Sequence, residues 1–424
     1  MTVAVTVTAL GAGGDGLAAA PDGGRLYIPY AAPGDRLVVE PGAKAGDGRR
    51  ASIVERLADG PDRVTPPCRH FGDCGGCALQ HIADAAYRDW KRSRVVDALR
   101  RSGFGAGLVG ELVPATPGDR RRIRLSVRPA GRRLALGFNA AASHRIVAIE
   151  ECPVAAPQLV RLLPQLRERL APLWPHGRAG DLALTLTDGG VDLLLVVAGE
   201  FAAGARVGLA RIAEELDLAR ISLAADDRAT PEPIAVRRPA TMRFGPAAVV
   251  APPGGFLQAG AQSERVLVEL VLAAVPDGAV VGDLHAGSGT FALALAPRAR
   301  RVHAFDRDGP ALEALVAGAR AAGLGPKVSV ERRDLDRRPL GARETRTWTV
   351  AVLDPPRAGA LAQAEAIARS TVPLVVYVSC NPTSFARDAA AMAAHGLHLQ
   401  QATPVDQFLW SPHVELVAVF RRSA

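Results

Sequence analysis

Two continuous apolar runs constrain the fold of this chain most strongly. Residues 350–353 read VAVL and residues 372–378 read VPLVVYV. Because the runs are continuous rather than alternating, they predict strands of a parallel sheet that are buried on both faces. The first run is followed by the letters DPPR and the second by SCNP. Ligands of open α/β sheets lie beyond the carboxyl ends of the strands, so we expect Asp354 and Cys380 at one rim of one sheet.

Cys380 is the first candidate for chemistry. Free cysteine is among the most buried residue types, and an inert packing role is the competing interpretation. Pro356 and Pro382 hold the chain in tight turns at this rim. The Ser-x-Asn-Pro turn exposes Cys380, which favours a nucleophile.

The sequence upstream of these runs predicts a nucleotide-binding layout over residues 251–424. The letters AVVGDLHAGSGTFALALA indicate a strand, a glycine-rich turn and a helix, and RVHAFDRD indicates a second strand that ends at Asp306. A carboxylate after the second strand is where a ribose is held. S-adenosylmethionine and dinucleotide enzymes share this layout, but the glycines do not follow the G-x-G-x-x-G pattern, which weighs against a dehydrogenase.

The remaining sequence predicts two further domains, as 424 residues allow. Residues 1–58 contain short strands separated by Gly, Pro and Asp, and a five-stranded barrel of the oligonucleotide-binding (OB) type is the economical fold. A purely structural barrel is equally consistent with this composition. Residues 59–250 predict an α+β central domain with helices at 83–101, 158–170 and 205–215.

The positive net charge of the chain has two explanations. The net charge is +8 and only three residues are lysine, so arginine carries nearly all the positive charge. Codon usage in a GC-rich genome and affinity for nucleic acid both explain this excess. A basic block would line a nucleic-acid groove or form a solvated face; it consists of Arg120, Arg121, Arg122, Arg124, Arg128, Arg132 and Arg133.

The absence of certain sequence features predicts where the protein is located in the cell and whether it needs a protein partner. It has no run of eighteen apolar residues, and its first residues show neither a basic nor an apolar signal region. We therefore expect a cytoplasmic protein with no membrane span. Nothing in the sequence indicates an obligate protein partner.

Four cysteines predict a metal site. Cys68, Cys74 and Cys77 follow a C-x5-C-x2-C pattern, and Cys152 lies far downstream. Clustered cysteines in a cytosolic protein favour metal over disulfides. Four thiolates suit tetrahedral zinc or an iron–sulfur cluster, and the spacing leaves both open.

Taken together, these motifs resemble one family over essentially the whole chain. DPPRAG, VSCNPTSFARD, the cysteine quartet and the terminal PVDQFLWSPHVELVAVF resemble the RNA uracil-C5 (5-methyluridine) methyltransferases, in their iron–sulfur-containing bacterial 23S rRNA branch. The N-terminal letters GDGLAA and GRLYIPYAAPGDRLVVE resemble the RNA-binding TRAM domain. The resemblance implies a Rossmann-like class I methyltransferase domain, a TRAM-like barrel and an α+β domain that carries the cluster. It also implies that helix 83–101 packs on the catalytic domain.

The resemblance assigns roles to individual residues. It implies that Cys380 is the nucleophile, that Glu415 is the base, and that a 4Fe-4S cluster is held by Cys68, Cys74, Cys77 and Cys152. It implies that S-adenosylmethionine is bound by Gln258, His285, Thr290, Asp306, Asp334 and Asp354. His285 and Thr290 stand where the family more often has an aromatic residue and Asn, and Asp306 stands where Glu is usual.

The implied reaction is formation of 5-methyluridine in 23S rRNA through a covalent bond between the thiol and uracil C6. Methylation of tRNA uracil is one alternative. Methylation of an exocyclic amine, which needs no nucleophilic cysteine, and methylation of RNA cytosine at C5 are two others. An alternative of another class is a metal-binding RNA-binding protein with a degenerate methyltransferase fold.

Overall fold

The computed structural model describes residues 1–199 and 201–422, and its first part is a six-stranded sheet. Its strands are β1 (Val3–Thr6), β2 (Ala9–Leu10), β3 (Gly16–Ala19), β4 (Arg25–Ile28), β5 (Arg36–Ala45) and β6 (Gly48–Ala58). They lie in the order β1-β5-β6-β4-β3-β2, with β4 and β6 parallel. β1 pairs with β5 while β2 pairs with β3, and only Val7 and Thr8 separate them. One interrupted N-terminal strand therefore pairs with both ends of the sheet, which accounts for six strands where five were predicted.

The second part is a seven-stranded sheet covered by helices. Its elements are α1 (Asp84–Arg101), β7 (Arg122–Ala130), β8 (Arg133–Asn139), β9 (Ile146–Ala148), α2 (Pro157–Leu170), β10 (Gly180–Thr187), β11 (Gly190–Val197), α3 (Ala203–Glu215), β12 (Arg220–Ala224) and β13 (Glu232–Val236). The strand order is β13-β12-β11-β10-β7-β8-β9. α2 buries Leu159, Leu163, Leu166 and Leu170, whose helical spacing places them on one face toward this sheet.

The third part contains a hairpin and a second seven-stranded sheet. Its elements are β14 (Thr241–Phe244), β15 (Ala247–Val250), α4 (Ala261–Ala274), β16 (Val280–Leu284), α5 (Thr290–Leu295), β17 (Arg301–Asp306), α6 (Gly309–Ala321), β18 (Val328–Arg332), α7 (Ala342–Thr345), β19 (Val350–Leu353), α8 (Leu361–Ala368), β20 (Leu374–Ser379), α9 (Pro382–Ala393), β21 (Leu397–Val405) and β22 (Glu415–Arg422). The order is β18-β17-β16-β19-β20-β22-β21, and the first five strands are parallel. The direction of winding reverses between β16 and β19, where doubly wound sheets form their ligand crevice.

The two apolar runs form neighbouring strands of this sheet, as predicted. β19 coincides with residues 350–353, and it pairs in parallel with β20 from Val350–Leu374 to Leu353–Tyr377. Every residue of both strands is buried. β20 begins at Leu374 rather than at the predicted Val372, because Pro373 between them has no N–H group for the ladder. Asp354 and Cys380 consequently follow adjacent strands at the same rim.

Helix α1 lies against the third part of the chain, although it precedes the second sheet in sequence. Val95 and Leu99 of α1 belong to the same buried apolar cluster as Phe385 and Met392 of α9. α1 also buries two polar side chains, Tyr87 and Lys91. Within the described residues, none of the helices has the length and apolar character needed to cross a bilayer.

Candidate active site

A cavity of about 580 Å³ lies beyond the carboxyl ends of the parallel strands. Both residues with a predicted catalytic role line it, Cys380 and Glu415. Five of the six predicted cofactor residues also line it: Gln258, His285, Asp306, Asp334 and Asp354. Thr290, the first residue of helix α5, is not among the lining residues.

The turn that carries Cys380 is fixed to the turn that carries Asp354. Asn381 caps helix α9, where its Oδ1 accepts a hydrogen bond from the Thr383 amide at 3.1 Å. Its Nδ2 donates to the Arg357 carbonyl at 3.0 Å, and the Ser384 hydroxyl donates to the same carbonyl at 3.0 Å. The S-C-N-P and D-P-P-R turns therefore form one unit, with the thiol just before a helix N-terminus.

A chain of side-chain hydrogen bonds joins the two ends of the site. Gln258 Nε2 donates to Asp354 Oδ2 at 3.0 Å. Gln407 Nε2 donates to Gln258 Oε1 and to Glu415 Oε2, both at 2.9 Å. The Ala259 amide donates to Gln407 Oε1 at 3.0 Å, which fixes the orientation of the Gln407 amide. Sequence analysis missed Gln407, whose only signal was its place beside Asp406 in the terminal segment.

Burial and mutual repulsion set the proton affinities in the site. Burial raises the pKa of Glu415 to about 8, with the charge of Asp354 adding to the effect. Burial, followed by the charge of Asp306, raises the pKa of Asp354 to about 7. Burial, followed by Glu415 and Asp354, raises the pKa of the Cys380 thiol to about 11. The site thus holds two carboxyl groups that exchange protons near neutral pH, as general acid–base chemistry requires.

The other end of the cavity is shaped by the glycine-rich loop. Asp306, at the end of β17, accepts hydrogen bonds from the Gly287 and Asp308 amides, both at 2.8 Å. His285 adopts a left-handed backbone with φ of 64°, and burial lowers the pKa of its imidazole, which favours the neutral ring. Asp334 Oδ1 accepts from the amide of Asp336 at 3.1 Å. Asp306 and Asp334 thus follow neighbouring parallel strands, the position in which doubly wound sheets present carboxylates to a ligand.

The basic block does not form one continuous surface. Arg120 and Arg122 are half-buried and line the cavity. Arg121 is buried and forms an ion pair with Glu264, so the prediction of a basic face is wrong for this residue. Arg124 is exposed and forms ion pairs with acidic side chains, among them Asp181 at 2.8 Å. Of these four arginines, only Arg120 and Arg122 reach the site.

The four predicted metal ligands line a second cavity, of about 270 Å³: Cys68, Cys74, Cys77 and Cys152. Gly75 brings the first three close to the second sheet, since a Cβ atom there would lie 3.0 Å from the Ala141 backbone. In the described part of the chain, no group of three or more His, Cys, Asp or Glu side chains is arranged to hold a metal ion. The chemistry of the donor set, four thiols on one largely apolar wall, nevertheless suits a group bound by thiolates.

Comparison with known proteins identifies the family. An uncharacterised RNA methyltransferase of Brucella suis is 43% identical over 419 residues, covering 99% of this chain and 97% of the relative. Another, of Caulobacter vibrioides, is 44% identical over 429 residues and covers 99% of both. The chain belongs to the RNA methyltransferase family. The prediction that it is an enzyme of this kind is confirmed.

Two further comparisons bear on what this RNA methyltransferase acts upon. The 23S rRNA uracil-C5 methyltransferase RlmD of Chromohalobacter salexigens is 35% identical, covering 96% of this chain and 87% of the relative. The crystal structure of the tRNA uracil-C5 methyltransferase of Pyrococcus abyssi, bound to S-adenosylhomocysteine, is 25% identical with a TM-score of 0.78. It covers 98% of this chain and 99% of the archaeal one. No family model matches the chain.

Proposed function

We propose that this RNA methyltransferase forms 5-methyluridine in 23S rRNA by transferring a methyl group from S-adenosylmethionine to uracil C5. The observation that carries the proposal is the joining of Asp354 and Glu415 by two glutamine amides in the cavity that Cys380 also lines. RlmD of Chromohalobacter salexigens, 35% identical, is named as a 23S rRNA uracil-C5 methyltransferase, and the archaeal structure belongs to a tRNA uracil-C5 methyltransferase. Both support the same atom as the acceptor.

Uracil C5 is a weak nucleophile, and the chain supplies what activates it. The Cys380 thiol gives its proton to solvent, and the thiolate forms a bond to C6, which moves electrons onto the C5–C4–O4 enolate; the sulfur recovers a proton from solvent after the adduct breaks down. C5 then takes the methyl group from the sulfonium sulfur. Glu415 accepts the C5 proton, the Sγ–C6 bond breaks, and the C5–C6 double bond reforms. One nucleophile and one base thus complete the cycle, with the thiol regenerated.

The proton affinities of the site suit this sequence of events. Burial, and after it the neighbouring carboxyl groups of Glu415 and Asp354, raises the pKa of Cys380 to about 11, which keeps the thiol protonated at neutral pH. A cationic sulfonium stabilises the ionised forms of Asp354 and Glu415 and also a thiolate. With the positive charge that the methyl donor would supply, Cys380 would ionise as the nucleophile and Glu415 as the base; without that charge, the thiol keeps its proton and is unreactive.

Gln258 and Gln407 fix the positions of the Asp354 and Glu415 side chains. Gln407 donates to Glu415 and is itself oriented by the Ala259 amide, so Glu415 keeps a fixed direction. Asp354 lies between the nucleophile and the glycine-rich loop. Its carboxylate is placed to accept a hydrogen bond either from the methyl donor or from the edge of uracil.

RNA must present an unstacked uracil to reach this cavity. Arg120, Arg122 and Arg357 at its wall offer contacts to phosphate, and Phe256, 64% exposed, offers an aromatic face on which a base stacks. We also propose that residues 1–58 act as a TRAM-like RNA-binding barrel, since the interrupted first strand and the parallel β4–β6 pair are compatible with an OB-type topology. Affinity for RNA should then fall steeply with salt.

The cysteine cavity completes the proposal. Four thiols with largely apolar surroundings favour a 4Fe-4S cluster, which would be held by Cys68, Cys74, Cys77 and Cys152. When bound, the cluster would cross-link the segment 68–77 to the region of Cys152. A structural role follows from its position outside the cavity that contains Cys380.

The substrate is tested by mapping modified nucleosides. Mass spectrometry of 23S rRNA and tRNA from a deletion strain should show loss of 5-methyluridine from 23S rRNA, restored by the wild-type gene. Loss from tRNA instead would favour the second candidate, a tRNA uracil-C5 methyltransferase, which the archaeal structure supports. Retention of 5-methyluridine in both RNAs would contradict the proposed function.

A further inference from the structure

The segment between β21 and β22 supplies one wall of the active-site cavity. Gln407 and Phe408 lie in it, and Glu415 follows it as the first residue of β22. Asp406, directly before Gln407, has a side chain only 1% exposed and does not line the cavity. Successive side chains of an extended backbone point to opposite faces, so Asp406 faces away from the site while Gln407 faces into it.

Lys91 of helix α1 holds this segment from behind. Its side chain is fully buried. The ammonium group donates to Asp406 Oδ1 at 2.8 Å, to the Phe408 carbonyl at 3.1 Å and to the His413 carbonyl. One cation therefore ties both ends of the 408–413 loop, and all three of its donors are used.

Tyr87, one helical turn earlier, makes the second set of contacts. Its hydroxyl donates to Asp406 Oδ2 at 2.6 Å and accepts from the Trp410 amide at 2.8 Å. Trp410 has a left-handed backbone with φ of 56°, a conformation that costs energy for a bulky residue and needs such support. The Trp410 carbonyl accepts from the Ala78 amide at 2.9 Å, and also from the next amide along the chain.

We propose that Tyr87 and Lys91 are positioning residues for proton removal, acting through Asp406 on Gln407 and Glu415. The inference rests on the proposed function and extends it to a helix that lies more than three hundred residues before the base. It explains why helix α1 buries two polar side chains toward the catalytic sheet. It also explains a lysine in a chain whose positive charge is nearly all arginine.

The choice of lysine is chemically specific. A compact ammonium on a flexible stem reaches one carboxylate and two carbonyls that converge from different directions, whereas a planar guanidinium donates along fixed lines. The buried ammonium and the buried carboxylate also compensate each other, so removal of either leaves an unpaired charge. The contacts of Tyr87 and Lys91 with the 406–413 segment, called the clamp below, fix the direction in which this segment runs through directed hydrogen bonds, which apolar packing does not supply.

The test compares Lys91→Met and Tyr87→Phe with Arg220→Met. The control breaks a buried ion pair of similar exposure, Arg220 with Asp192 at 2.7 Å, which lies in the second sheet. With 5-methyluridine formation on RNA as the assay, Lys91→Met should lower kcat by about 10²-fold, since small misplacement of a reacting group has that effect. KM for RNA should change by less than about threefold. Tyr87→Phe, which loses one hydroxyl, should show a smaller change in the same direction.

Two readouts separate positioning from general destabilisation. A misplaced base stalls the cycle after C6 addition, so the protein–RNA adduct that survives denaturing electrophoresis should accumulate in both clamp variants and not in Arg220→Met. Amide hydrogen exchange over residues 406–415 should accelerate in the clamp variants alone. If Lys91→Met does not fold, Tyr87→Phe alone tests whether the clamp positions the base.

Wild-type-like adduct levels and exchange rates in a folded clamp variant would overturn the inference and leave the proposed function intact. Equal adduct accumulation in Arg220→Met would overturn it too, because the effect would then follow stability. Failure of the wild-type protein to form any adduct with 5-fluorouridine RNA would instead contradict the proposed function itself. The two failures are thereby distinguishable.

Discussion

The molecule has two cavities lined by thiols, and they differ in what surrounds the sulfur. Burial raises the pKa of Cys380 to about 11 and that of Cys77 to about 12, so both thiols hold their protons tightly in the empty protein. Beside Cys380 lie Asp354 and Glu415, two carboxyl groups that exchange protons near neutral pH. Beside Cys77 lie three more thiols and a largely apolar wall. The proposed function assigns the thiol beside the two carboxyl groups to nucleophilic attack and the four grouped thiols to binding of a cluster.

The two cavities are also connected. Arg120 lines both of them. Its backbone forms bridges to Ala155, close to Cys152, and to Gly260, close to Gln258. Arg120 is thus the residue through which a change in the cysteine cavity would reach the active site, and the predictions below measure the size of that effect.

The largest effect is expected for Cys380→Ala. It should lower formation of 5-methyluridine by about 10⁴-fold or more, because in the proposed mechanism Cys380 supplies the nucleophile that adds to C6. Binding of S-adenosylhomocysteine, measured by calorimetry, should persist as the check on folding. Activity that persists in this variant would show that the thiol in the active-site cavity is not a nucleophile. It would favour methylation of an exocyclic amine, which needs no nucleophilic thiol.

A change in the other cavity should act on the fold. The anaerobically purified protein should be brown and contain about four iron atoms, as four thiolates can enclose a cubane. Cys74→Ser should lose iron, soluble yield and melting temperature, since metal binding couples to folding. The kcat of the folded fraction should fall far less than in Cys380→Ala. One zinc and no iron in elemental analysis would end the cluster proposal.

A smaller effect is expected for Gln407→Leu. This variant breaks the hydrogen-bonded chain and leaves Glu415 without its fixed partner, so kcat should fall by roughly 10²-fold. Gln363→Leu is the matched control, since Gln363 is 1% exposed and bonds the Leu340 backbone outside the cavity. An equal loss of kcat in the control would show that Gln407 acts through stability alone.

The last effect acts on stability rather than on kcat, and it depends on pH. The carboxyl group of Glu415 has an ordinary pKa of 4.5 and a native pKa of about 8, so the native state binds more protons between these values. The stability that Glu415 contributes is present below pH 4.5 and is lost as pH rises toward 8, by at most about 1.4 kcal/mol per pH unit. Glu415→Gln should thus gain melting temperature relative to the wild type from pH 5 to 8. A constant difference across this range would contradict the raised pKa.

Much of the fold could be predicted because it depends on local patterns. Continuous apolar runs identified β19 and β20, and the residues that follow them placed Asp354 and Cys380 at one rim. The boundaries of helix α1 were predicted within one residue, at 83–101 against Asp84–Arg101. Strand periodicity and helix spacing are properties of short segments, so they can be read without knowledge of the tertiary structure.

The parts of the site that sequence did not predict depend on contacts between distant residues. Gln407 has no pattern of its own, and its role appears only when Gln258 and Glu415 are seen on either side. Arg121 was grouped with its basic neighbours because sequence does not show Glu264 opposite it. Thr290 was assigned by its position in a motif, and it is not among the residues that line the cavity.

Trapping of the covalent intermediate tests the central claim most directly. RNA that carries 5-fluorouridine should form an adduct with the wild-type protein that survives denaturing electrophoresis, because fluorine at C5 does not leave as a proton does. With ordinary RNA, Glu415→Gln should accumulate the adduct, because this variant keeps the shape of the side chain and lacks the base. Cys380→Ala should form no adduct with either RNA. An adduct with Cys380→Ala, or near wild-type turnover by Glu415→Gln, would contradict the account.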